Sequence, residues 1–96
     1  MSDDQKNQRA AVSWTVWIRG ADEIGYESLE SRSATVTSGP EVELDSTDQR
    51  VVVFGANRGP ASVVFTVGDV SQVVETGKYF LFQMAYQGPL RARINA

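Results

Sequence analysis

The 96-residue chain contains no cysteine and no histidine. Histidine is the side chain whose unperturbed pKa lies near neutral pH, and it carries most general acid–base chemistry and much metal binding. Cysteine supplies disulfides, soft metal ligands and the low-pKa nucleophile. Their absence removes the histidine-dependent triads, the common zinc sites and thiol redox chemistry together. Long apolar runs are missing too. The longest are four residues, VVVF at Val51 to Phe54 and YFLF at Tyr79 to Phe82. A membrane-spanning helix needs about 20. The first residues, MSDDQKNQR, have no apolar stretch behind them, so no secretory signal is read. The expectation is a cytoplasmic or virion protein; a mature secreted chain with its signal removed would look the same.

Basic residues are few. Nine Lys and Arg face twelve Asp and Glu, for a net charge of −3. Nucleic-acid binders usually cluster a basic excess, and here the basic residues are scattered. No nucleic-acid partner and no membrane partner are expected. The apolar content of 42% and charged content of 22% are those of a folded domain rather than a disordered chain. The length suits a single domain. Residues 1–10 read as a flexible polar tail and residues 11–96 as one all-β domain.

Period-two alternation dominates that domain. In VSWTVWIR, Val12, Trp14, Val16 and Ile18 share one face, and Ser13, Thr15, Trp17 and Arg19 the other. Such spacing with β-branched and aromatic residues marks a strand. Residues 21–33 are read as either a helix or a loop with weak strands. SATVT at Ser33 to Thr37 is a short strand. Glu41 to Leu44 alternates with Val42 and Leu44 inward. Arg50 to Phe54 is nearly all apolar and reads as a strand buried on both sides. GANRGP at Gly55 to Pro60 reads as a turn, making a hairpin with Ala61 to Val67. Val70 to Glu75 is a further short strand. Lys78 to Tyr86 is the longest, and Leu90 to Ile94 closes the chain with Leu90, Ala92 and Ile94 inward. Turn signals every eight to twelve residues predict an antiparallel β-sandwich of seven or eight strands, with a small barrel as the alternative. The stretch ETGKYFLFQ, a turn followed by G-x-Y and an alternating apolar strand, resembles the late strand of immunoglobulin-like and jelly-roll sandwich modules.

Four residues stand out as candidate binding positions. Trp17 faces away from the apolar side of its strand, where it would anchor a protein interface or stack on a sugar; if that face is covered, it is core. Asn57 and Arg58 lie in the glycine-flanked loop, where they would bond polyols or anions. Leu81 lies opposite Phe80 and Phe82 on a strand that is apolar on both faces.

Catalytic and metal motifs are not read. The paired acids Glu41 and Glu43 fit a solvated strand face. DSTDQ, with Asp45 and Asp48, lacks the alternating ligands of a calcium loop. There is no GxSxG or SxxK. No enzyme activity, cofactor or metal is expected. The leading functional expectation is a noncatalytic, self-associating interaction or assembly protein, such as a particle or virion component or a small acidic binding protein. It would act on copies of itself or on a larger protein. The alternative is a carbohydrate-binding module or small lectin using Trp17, Asn57 and Arg58.

Overall fold

A computed structural model of the chain describes residues 8–19, 27–46, 50–83 and 88–95. Eight strands account for nearly all of them: β1 (Arg9–Arg19), β2 (Glu27–Thr37), β3 (Val42–Asp45), β4 (Arg50–Pro60), β5 (Val63–Val67), β6 (Val70–Val74), β7 (Tyr79–Gln83) and β8 (Leu90–Ile94). They form two four-stranded sheets, ordered β2-β1-β4-β7 and β3-β8-β5-β6. Every neighbouring pair is antiparallel. The sheets stay separate and stack, so the fold is a β-sandwich and not the closed barrel.

The core is the set of inward positions that the alternation marks. Val12, Trp14 and Val16 from β1, Val53 from β4, and Phe80 and Phe82 from β7 line the first sheet. Val63, Phe65 and Val67 from β5, and Leu90, Ala92 and Ile94 from β8, meet them from the second. Phe65 and Phe80 stack across the sheets with ring centroids 4.1 Å apart. Period-two strands with one buried side hold a single register, since a one-residue slip would turn every apolar side chain to water.

Several expectations change. β1 begins at Arg9, with Ala10 fully buried; residues 1–7 of the expected tail lie outside the described residues. The SATVT strand is the end of the longer β2. Of the helix-or-loop segment, residues 21–26 lie outside the described residues and 27–33 are strand. In β3 the register shifts between Glu43 and Asp45. This bulge buries Asp45, while Leu44 is half-buried and Val42, on an edge strand, is 40% exposed. Met84, Ala85 and Tyr86 lie outside the description, and β7 is five residues long.

GANRGP is not a turn. It continues β4, and β4 does not pair with β5: the chain crosses there from one sheet to the other. A short connection suits a hairpin or an arch between sheets equally, so loop length does not separate the two. The glycine at 55 has a packing cause. It lies between Trp14 on β1 and Phe80 on β7 in the same register row. A Cβ there would run into the Ser13 backbone oxygen and sit 2.9 Å from Phe80 Cε2. The hairpin that β5 does form is with β6, where Val67 pairs with Val70 around Gly68-Asp69. Gly68 takes φ +60°, as the first central residue of such two-residue turns does.

Candidate functional site

The outer face of the first sheet is where the sequence and the register converge. Three successive rows cross its four strands. They are Ser33·Ser13·Ala56·Tyr79, Ser31·Thr15·Phe54·Leu81 and Leu29·Trp17·Val52·Gln83. None of these twelve residues is charged. Leu29 is 66% exposed, Phe54 40%, Tyr79 81% and Leu81 49%, and Trp17 and Val52 are half-buried. Val53 is buried while Val52 is half-buried and Phe54 exposed, so the expected burial of this strand on both sides does not hold at these positions. Small residues along Ser13, Thr15 and Ala56 leave an open depression of about 590 Å³, walled by Phe54, Tyr79 and Leu81.

The second sheet presents a different surface. One of its rows is Glu43·Arg91·Thr66·Ser71 and the next begins Arg93·Val64·Val73. Arg91 also reaches Glu41, at 3.9 Å. The arginine-bearing strand β8 thus pairs with the glutamate-bearing strand β3. Arg91 and Glu41 are both partly exposed, so their ion pair contributes about 1 kcal/mol or less.

The four candidate residues separate. Trp17 and Leu81 lie on the uncharged face in adjacent rows. Arg58 is exposed at the rim of the depression. Asn57 is fully buried and its amide is committed internally. Its Nδ2 donates to the carbonyls of Ala61 and Val74, both at 2.8 Å, and its Oδ1 accepts from the Gly59 N–H at 2.7 Å. Asn57 is a clip that satisfies backbone groups where the chain changes sheets. Its sugar-gripping role is corrected accordingly. Trp17 aligns with Val52 on β4, six residues from Arg58. That is about 20 Å along a strand, too far for one sugar ring to touch both.

One polar cluster escapes a reading of the sequence. Trp14 Nε1 donates to Asp45 Oδ2 at 2.7 Å, and Arg32 Nη1 donates to the same oxygen at 2.8 Å. Trp14 and Arg32 are cross-strand neighbours in the first sheet; Asp45 comes from the second. Asp45 is buried and Arg32 is partly exposed. Arg32 also bonds Glu30 at 3.1 Å. The Arg32 guanidinium is pushed above its ordinary value, first by the Asp45 charge and next by the Glu30 bond. The cluster bolts the two sheets together at one edge. Asp45, one of the two aspartates of DSTDQ, thus commits its carboxylate to protein donors; Asp48 lies outside the described residues. Among the described residues no three acidic side chains gather into a metal-binding group.

Comparison with known protein families, characterised proteins and solved structures finds no match to this chain.

Proposed function

We propose that the protein is a noncatalytic assembly protein that presents the outer face of its first sheet to a second copy of itself. The observation that carries this reading is the block of twelve uncharged residues, with Leu29, Phe54, Tyr79 and Leu81 exposed together. A second copy is the occupant because a self-contact lays a patch against its own twin. A charged patch would repel itself; this one has no charge to oppose. The rest of the surface keeps the molecule acidic and mixed in sign, which opposes indiscriminate association. Sheet faces of this kind pack about 10 Å apart with side chains interleaved.

The size of the patch sets the strength. Four strands by three rows cover on the order of 400 Å². Standard interfaces bury about 800 Å² on each partner. The contact is therefore reversible and concentration-dependent rather than obligate. Sedimentation across a hundredfold concentration range tests it. The native chain shifts toward a larger species on concentration, and Leu81→Glu loses the association through this face with an unchanged circular dichroism spectrum. A chain that remains monomeric throughout, or a Leu81→Glu variant that still associates through this face, removes the reading.

A further inference from the structure

The edges of the two sheets are not alike. On β7, Gln72 of β6 reaches across to donate Nε2 to the Leu81 carbonyl at 2.8 Å, occupying part of that edge. β3 has four residues and a bulge, and β6 has five. Short, bulged or capped edges are the usual defences against stray pairing. β2 is neither short, bulged nor capped, and its only charges are those of Glu27, Glu30 and Arg32. It runs eleven residues, ESLESRSATVT, in unbroken register with β1, with no proline, lysine or bulge. Among the described residues nothing pairs its far side, where alternate residues point their N–H and C=O groups outward.

The charges of β2 make this edge self-complementary. An antiparallel contact between two copies about a two-fold axis sets residue i opposite residue j with i + j constant. Centred on Ser31, it places Ser31 opposite Ser31 and Leu29 opposite Ser33. It also places Glu30 opposite Arg32, twice. Centred on Glu30 or on Arg32, it faces like charges instead. In the single chain Arg32 Nη2 already holds Glu30 at 3.1 Å with both side chains partly exposed, so both groups stand at the edge. Opposed residues in an antiparallel pair have Cβ atoms about 5 Å apart, within ion-pair reach for these side chains.

We infer that β2 is a homotypic docking edge, at which two copies pair antiparallel about Ser31 and join their first sheets into one eight-stranded sheet. This contact is distinct from the face-to-face contact and does not rest on it. The two are compatible: joining the sheets side by side doubles the uncharged outer face to on the order of 800 Å², the size a standard interface requires. A two-fold edge contact is closed by itself. Open-ended growth would need the face as well.

The lack of cysteine in the chain allows a clean test by single cysteine placement. Leu29, Ser31 and Ser33 are all exposed on the outer side of β2. Under mild oxidation Ser31→Cys forms a disulfide dimer, because opposed Cα atoms lie about 5 Å apart. Leu29→Cys and Ser33→Cys do not form dimers alone, since each would sit about 13 Å from its own copy; mixed in equal amounts they cross-link to each other. The Ser31→Cys cross-link persists when Leu81→Glu is added, and Glu30→Arg reduces it at least fivefold by facing the partner's Arg32 with a second guanidinium. Equal cross-linking of all three single variants, none from Ser31→Cys, or its loss with Leu81→Glu overturns the inference.

Discussion

Trp14 and Asp45 are 31 residues apart in sequence and share a 2.7 Å hydrogen bond between the two sheets. The indole is 4% exposed and the aspartate 3%. The bond satisfies an indole N–H that the core would otherwise strand, and a buried polar group without a partner is costly. Asp45→Ala removes the acceptor and is expected to lower stability by about 3 kcal/mol. Asp45→Asn keeps an acceptor for the indole, loses the charge opposite Arg32, and should cost clearly less. Urea unfolding of both variants checks the order; equal losses would mean that the indole bond contributes nothing.

The same cluster fixes a pH behaviour. The Arg32 guanidinium is pushed above its ordinary value, chiefly by the Asp45 charge. A basic group raised in the folded state stabilises fully below its unfolded pKa and loses that contribution only as pH climbs past its folded one. For arginine that window lies in strongly alkaline solution, far above neutral pH. The stability difference between the native chain and Arg32→Gln should therefore be constant from pH 6 to 9. A difference that changes steadily over that range would show that some other group titrates against Arg32.

Asn57 supports the crossing between sheets. Replacing it by Ala orphans the carbonyls of Ala61 and Val74 and the N–H of Gly59. At about 1 kcal/mol or more for each group left unpaired, Asn57→Ala should cost about 3 kcal/mol. For a domain of this size that lowers Tm by about 12 °C or more. Arg58→Ala, at the neighbouring exposed position, should leave Tm within about 2 °C, as surface changes usually do. Calorimetry separates the two. A mild Asn57→Ala would show that water replaces the amide.

Gly55→Ala adds one methyl group where the Ser13 backbone and the Phe80 ring already fill the space. The nearest atoms are backbone, so the strand itself must move. The expected loss is about 2 kcal/mol or more, at the upper end for overpacking. A variant as stable as the native chain, in denaturant titration, would mean that β4 shifts freely past β1.

The contrast between these residues explains how far the sequence is readable. β1 and β8 alternate cleanly because one side of each meets the core, and their inward residues follow from spacing alone. Gly55 carries the same letter as a turn glycine, yet its cause is the β1 backbone on one side and the Phe80 ring on the other, which spacing does not reveal. Asp45 sits in a polar run, and the bulge at Leu44 breaks the alternation that would mark it as inward. Asn57 has one partner two residues away but two others, the carbonyls of Ala61 and Val74, that lie beyond the crossing to the opposite sheet. Such roles depend on which strands become neighbours. Trp17 and Leu81 are visible as outward apolar residues, but the uncharged block around them emerges only once β2, β1, β4 and β7 are laid in register.

The two tryptophans give the face contact an internal readout. Trp14 is buried against Asp45, and Trp17 is half-exposed in an outer row of the uncharged face. In dilute solution, acrylamide should quench the emission of Trp17 readily and that of Trp14 little. If copies meet through the outer face, raising the concentration buries Trp17, shifts its emission to shorter wavelength and lowers quenching toward the level of Trp14. Added sulfate should strengthen the effect, because it favours apolar burial, whereas a contact held by exposed ion pairs weakens with salt. Trp17→Phe should abolish the concentration-dependent spectral change while retaining association, since Phe keeps most of the apolar surface. Leu81→Glu should abolish the spectral change and the face-to-face association, leaving only pairing at the β2 edge. Quenching that stays constant while sedimentation shows a larger species would place the contact away from this face, at the β2 edge alone.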